Sequence, residues 1–115
     1  MGTAHLHLAE YLSEQNRNSE AEANFSAAIR FIGEHANAFP DVGYYQGLLA
    51  KCSLSHGKML LAANRVNEAR LSFKKALVVV ESLLSVSDET SEYPHLAEEA
   101  KFHLTEMDRK EAGTP

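Results

Sequence analysis

Histidine and cysteine are the residues of this chain best suited to catalysis or metal binding. The sequence contains six histidines and one cysteine. His5 and His7 are two residues apart, so on a helix their side chains point about 200° away from one another. His95 and His103 are more than two helical turns apart, and neither a His-Glu-x-x-His motif nor a pair of cysteines occurs. The spacing therefore predicts no metal site and favours histidines that are solvated or packed.

Cys52 and His56 are separated by one helical turn, which would allow a thiolate–imidazole pair. Cys52 also belongs to an apolar stripe with Leu49 and Met59, where a buried, unreactive thiol is the usual outcome. The six glycines form no phosphate-binding loop. We therefore expect no catalytic residue and no cofactor, and a small helical enzyme or a metal sensor is the least favoured function.

The composition is that of a single globular domain. The chain has 115 residues, of which 44% are hydrophobic, and a formal net charge of −5. Because neither half of the chain is basic, we expect no nucleic-acid partner. The longest apolar stretch, 76–80, is far shorter than the ~20 residues that span a bilayer, and the N-terminus does not resemble a signal peptide. We therefore expect a cytoplasmic protein without a membrane partner.

An internal repeat relates two parts of the chain. Segments 16–29 and 64–77 align at an offset of 48 residues without a gap, and they share Asn, Arg, Glu, Ala, Phe and Ala at equivalent positions. A weaker echo pairs 39–43 with 93–97, which indicates a further, partial unit. Self-similarity at such a period is typical of stacked supersecondary units. The predicted units are a first repeat at about 3–37, a second at about 41–86 and a partial third at about 94–111.

Apolar residues recur every three or four positions through most of the chain, which is the pattern of amphipathic helices. Asn16 and Asn64 each follow such a segment and tolerate the left-handed conformation that ends helices. No segment has a convincing strand pattern. The sequence therefore predicts five helices, at roughly 3–15, 18–37, 41–63, 66–86 and 94–111.

Small, large and aromatic residues recur at fixed positions within the two full units. In the second unit they are Gly57 and Leu60 in the first helix, and Ala69, Phe73 and Ala76 in the second helix. Small residues allow two antiparallel helices to cross closely, and the aromatic ring fills the gap beside them. The matching residues of the first unit are Ala9, Leu12, Ala21, Phe25 and Ala28. This pattern resembles the tetratricopeptide repeat.

The period of 48 residues exceeds the ~34 residues of an ordinary tetratricopeptide repeat. It is similar to long-period variants of the kinesin-light-chain type and to repeats attached to bacterial serine/threonine kinases. The resemblance implies an all-α, right-handed stack of antiparallel helix pairs in one domain over 1–115, which looks like a fragment of a longer protein. It also implies a protein- or peptide-binding scaffold.

In such a stack the first helices of the units line a groove, and the resemblance assigns five residues of the second unit to it. They are Lys51, Leu54, Ser55, Lys58 and Leu61. We expect both leucines to be exposed beside the two lysines, which would suit a partner segment with acidic and apolar residues. The alternative function is self-association through the open ends of the stack, within a larger signalling protein such as a kinase.

Overall fold

The computed structural model describes residues 2–40, 43–86 and 92–112. Within these ranges the chain forms five α-helices and no strand. The helices are α1 Gly2–Glu14, α2 Asn18–Ala38, α3 Gly43–Ala62, α4 Val66–Val86 and α5 Glu92–Ala112. The prediction of an all-α chain with five helices is confirmed, and the helix ends agree within two residues wherever they are described. The predicted start of the third helix at residue 41 lies outside the described residues.

The turns after α1 and α3 have the same conformation. Asn16 and Asn64 have φ angles of 61° and 63°, so both occupy the left-handed region predicted from the sequence. The next residue in each turn, Arg17 or Arg65, donates its backbone N–H to a carbonyl five residues earlier, at 2.9 Å. This bond satisfies a carbonyl that the end of the helix would otherwise leave unpaired. The two turns therefore repeat at the 48-residue offset.

The helices pack on one another in chain order, and α3 lies at the centre of the arrangement. Each helix contacts the next one, and α3 also contacts α1 and α5. The largest fully buried side chains come from all of the first four helices: Phe25, Phe73, Leu6, Met59 and Val80. Because three-residue turns join α1 to α2 and α3 to α4, the helices of each pair run antiparallel.

Helix α3 is buried on two sides, whereas the sequence pattern indicated one apolar stripe. Cys52 and Met59 lie on the side that bears His56, whose ring stacks on Phe25 of α2. Gly57 lies on the other side, against α4. Further buried residues of this second side are Ala50, Leu54 and Leu60.

Gly57 lies where α3 and α4 cross, as the repeat pattern predicted. A Cβ atom built on Gly57 would stand 2.8 Å from Cε1 and 2.9 Å from Cδ1 of Phe73, closer than real Cβ atoms approach another atom. The Phe73 side chain is fully buried and cannot move aside without disturbing its other neighbours. At Gly33 of α2, in contrast, a built Cβ would meet nothing within 4 Å.

We predict opposite effects for alanine at these two glycines. Gly33→Ala should stabilise the protein by about 0.5–1 kcal/mol, because alanine is the better helix former. Gly57→Ala should destabilise it, because overpacking of about 1–3 kcal/mol outweighs that gain, and Gly57→Leu should destabilise it further. Denaturant unfolding of the three variants tests this. Equal stabilisation by both alanines would mean that α3 and α4 do not cross at Gly57.

Candidate functional site

All five residues assigned to the groove lie on α3, but they do not form the exposed strip that we expected. Leu54 is only 3% exposed and belongs to the core, so the expectation that it is exposed is wrong. The physical reason is its position three residues before Gly57, on the side of α3 that packs on α4. Leu61 is partly buried against the core. Lys51 and Ser55 are half-buried, and Lys58 is exposed.

Two polar residues among these five join the first helices of the three units. Ser55 Oγ donates a hydrogen bond of 2.8 Å to Glu10 Oε2 of α1. Lys58 Nζ forms an ion pair with Glu99 of α5, and its side chain is still 46% exposed in that pair. The surface therefore carries both signs of charge, whereas the sequence of α3 alone indicated a cationic strip. We call the surface formed by Glu10, Lys51, Ser55, Lys58, Leu61 and Glu99 the groove surface.

Two of the six histidines pack on the repeated phenylalanines. The ring of His56 on α3 stacks on Phe25 of α2, with centroids 5.3 Å apart and planes 23° apart. The ring of His103 on α5 stacks on Phe73 of α4 at 4.7 Å and 9°. Each stack joins the second helix of one unit to the first helix of the next. Sequence analysis left these histidines among the solvated or packed ones and did not identify the stacks.

His5 and His7 point to different surroundings, as their spacing predicted. His5 Nδ1 donates a hydrogen bond of 3.1 Å to Asn24 Oδ1 and so joins α1 to α2. His7 is exposed. His5 therefore contributes a contact within the first helix pair, whereas His7 is a solvated side chain.

Burial changes the proton affinity of the packed histidines. Burial lowers the pKa of His56, against an opposing effect of Glu22. It also lowers the pKa of His103, with a further decrease from the Lys58 charge. His56 Nε2 and the neighbouring Ser53 Oγ are buried without a hydrogen-bond partner among the described residues. A proton on His56 Nε2 would therefore make a charged donor without an acceptor within hydrogen-bond distance in the described ranges.

The cysteine is a buried thiol, as its place in an apolar stripe predicted. Cys52 is fully buried, and burial together with the Glu10 charge raises the pKa of its thiol to about 12. A nucleophilic cysteine needs the opposite environment, one that lowers the thiol pKa. His56 Nε2 makes no hydrogen bond to it. The geometry therefore gives no activated thiolate–imidazole pair.

The side chain of Arg65 connects the two full units beside the Phe25–His56 stack. Arg65, in the turn before α4, donates hydrogen bonds to both oxygens of Glu68 and to both oxygens of Glu22 on α2. In the first unit the equivalent residue, Arg17, forms an ion pair with Glu20, the equivalent of Glu68. The recurrence of Arg-x-x-Glu in the sequence was the available signal, but it did not reveal the second partner, Glu22.

An aromatic pocket that sequence analysis did not identify lies between the start of α1, the end of α2 and the start of α3. Its volume is about 190 Å³, and its aromatic lining comes from Phe31, His35, Tyr44 and Tyr45. Tyr44 is exposed and Tyr45 half-buried, and their rings meet edge to face at 5.7 Å. The five aromatic rings within residues 31–45, these four and Phe39, were the signal in the sequence.

Among the described residues, no group of three or more His, Cys, Asp or Glu side chains is placed to hold a metal ion. No helix in these ranges combines the length and the apolar character needed to cross a membrane. Comparisons of the chain with protein-family models, with curated proteins and with solved structures found no match.

The two stacked, half-buried imidazoles predict a stability that falls in mild acid. The unfolded chain takes up protons near the ordinary histidine pKa of 6.5, whereas the folded His56 and His103 take them up only at lower pH. The unfolded state therefore binds more protons in that interval, and stability decreases as the pH falls below about 6.5.

Replacement of both residues, His56→Leu with His103→Leu, should make the melting temperature less sensitive to pH between about 7 and 5. The control is His7→Gln on exposed α1 surface, which leaves both stacks in place. A double variant with the same pH profile as the parent would show that these imidazoles are not the groups that titrate.

We also predict a native thiol that resists modification. Cys52 should react with a disulfide reagent at neutral pH far more slowly than a free cysteine, and at the ordinary rate after denaturation, because it is buried and protonated. Colorimetric release of the reagent's thiolate measures both rates. Fast reaction of the folded protein would contradict the buried position of Cys52.

Proposed function

We propose that the chain is a non-catalytic, cytoplasmic helical-repeat scaffold of the tetratricopeptide type that binds a protein or peptide partner. The observation that carries the proposal is the repetition of one packing unit at the 48-residue offset. The turn at Asn16 recurs at Asn64, and the stacked ring of Phe25 recurs at Phe73. Repeats of this kind form extended surfaces suited to binding another chain.

The groove surface is the binding surface that we propose. Its residues come from α1, α3 and α5, and the contacts of α3 with both other helices make it continuous. Lys58 remains half-exposed in its pair with Glu99, so a partner carboxylate can reach it. Leu61 offers apolar area beside it. These features suit a partner segment that combines acidic and apolar residues.

Self-association is the second candidate function, and exposed apolar residues on α4 favour it. Leu71 and Val78 are 68% and 65% exposed, and they are seven residues apart, on the same side of the helix. Large exposed apolar side chains that lie together mark association surfaces. Size-exclusion chromatography with light scattering at two concentrations distinguishes a monomeric binder from an oligomer.

Charge reversal tests the groove surface. Peptides selected from a random library for binding to the chain should be enriched in acidic and apolar residues. Lys51→Glu with Lys58→Glu should weaken their binding about tenfold or more, with only a modest fall in melting temperature, because the Lys58–Glu99 pair is partly exposed and surface ion pairs contribute about 0–1 kcal/mol to stability. Fluorescence anisotropy at two salt concentrations measures the affinity, which should fall with added salt.

The control carries the same change of charge on another side of the molecule. Lys74 and Lys75 are exposed on α4, and Lys74→Glu with Lys75→Glu should leave the affinity nearly unchanged. Equal losses in the two double variants would show that only net charge matters. Full binding by the Lys51/Lys58 variant would exclude the groove surface.

A further inference from the structure

The 48-residue offset identifies equivalent faces on the first helices of the units. On α3, the face turned toward the preceding helix α2 carries Cys52, His56 and Met59. The residues 48 positions later are Ala100, Leu104 and Met107 on α5, which packs on α4. The residues 48 positions earlier are Ala4, Leu8 and Tyr11 on α1.

The three equivalent faces differ in whether a helix covers them. Met59 and Met107 are 1% and 4% exposed, because α2 and α4 lie over them. Their equivalent on α1, Tyr11, is 56% exposed, and Leu8 beside it is 46% exposed. The α1 face therefore has the apolar character of the two covered faces without a covering helix among the described residues.

Beside the α1 face lies Arg17. Its equivalent in the second unit is Arg65, which lies at an interface that a helix covers. Arg65 pairs with Glu68 in its own helix pair and with Glu22 of the preceding unit. The described ion pairs give Arg17, its equivalent, only the partner within its own unit, Glu20. A helix placed over α1 as α2 is placed over α3 would bring its own carboxylate to Arg17.

The helix α2 shows which residues such a partner needs. It meets α3 through two side chains one turn apart: Phe25 stacks on His56, and Glu22 binds Arg65. A helix that covers α1 in the same way presents an acidic residue and, three positions later, an aromatic residue. Its aromatic ring would pack on Leu8 and Tyr11, and its carboxylate would bind Arg17.

A second copy of the chain offers this pair of residues only where the carboxylate is already engaged. Helix α2 has the required pair, but α3 already covers it. On helix α4 the position equivalent to Glu22 is Arg70, which pairs with Asp108 and Glu111 of α5, and Phe73 is covered by His103. Helix α5 carries Glu99 and, three positions later, Phe102, which is 60% exposed, but Glu99 already pairs with Lys58. Within the described residues, the carboxylate of each Glu-x-x-Phe pair is therefore already engaged by its own chain.

We propose that the α1 face, formed by Ala4, Leu8 and Tyr11, together with the adjacent Arg17, binds an amphipathic helix of another protein with the pattern acidic-x-x-aromatic. This surface is separate from the groove surface, so either can be correct when the other is wrong. The apolar part supplies burial, and the arginine selects the register of the bound helix.

A peptide taken from the chain itself is the probe. A labelled peptide of residues 17–39 contains the pair Glu22 and Phe25. It should bind the intact protein, as measured by fluorescence anisotropy. The peptide variants Phe25→Ala and Glu22→Arg should each bind about tenfold more weakly or worse, because the first removes the buried anchor and the second opposes Arg17.

Variants of the protein locate the site. Leu8→Asp with Tyr11→Asp should abolish peptide binding while helicity and melting temperature stay close to those of the parent, because both side chains are largely exposed. Arg17→Glu should weaken binding of the parent peptide and restore that of the Glu22→Arg peptide. The groove variant Lys51→Glu with Lys58→Glu should bind the peptide as the parent does. The two hypotheses, the α1 face and the groove surface, are therefore tested separately.

Three results would overturn the proposal. One is the absence of saturable peptide binding, and another is binding that survives Leu8→Asp with Tyr11→Asp. The third is a dimer of the parent protein, seen by light scattering without peptide, that these two substitutions dissociate. That result would make a second copy of the chain the occupant of the α1 face.

Discussion

The buried ring of Phe73 joins three helices, and the rest of the packing depends on it. One part of the ring lies against Gly57, where α3 and α4 cross so closely that no Cβ atom fits. The ring also stacks on His103 of α5. The same side chain therefore fixes the distance within one helix pair and attaches the next unit. In the first unit, Phe25 stacks in the same way on His56 of the next unit. The position equivalent to Gly57 is Ala9 there.

This use of aromatic rings explains the surroundings of the residues that first suggested chemistry. Stacking on phenylalanine takes His56 and His103 partly out of water, which lowers the pKa of both imidazoles. Cys52 lies on the same side of α3, and burial raises the pKa of its thiol. These side chains contribute packing between units. Ion pairs between units come from Arg65 with Glu22, and from Arg70 with Asp108 and Glu111.

Periodicity and repeat comparison predicted the five helices, both left-handed asparagines and the crossing at Gly57, because each depends on local spacing. They did not predict the burial of Leu54, because a stripe assigns one apolar side to a helix, whereas α3 has helices on two sides. The pairs Ser55–Glu10 and Lys58–Glu99 were also missed. Each joins residues of different units, so it depends on how the units are arranged, which no single helix encodes.

The most direct test of this packing is a nuclear Overhauser spectrum of the aromatic and histidine side chains, assigned in the folded protein. The account predicts cross-peaks from the Phe73 ring to both the Gly57 α-protons and the His103 ring, and from the Phe25 ring to the His56 ring. The Gly57 α-protons should also show a ring-current shift caused by Phe73. A Phe73 ring with cross-peaks to neither Gly57 nor His103 would contradict the central claim that one aromatic side chain joins the two units.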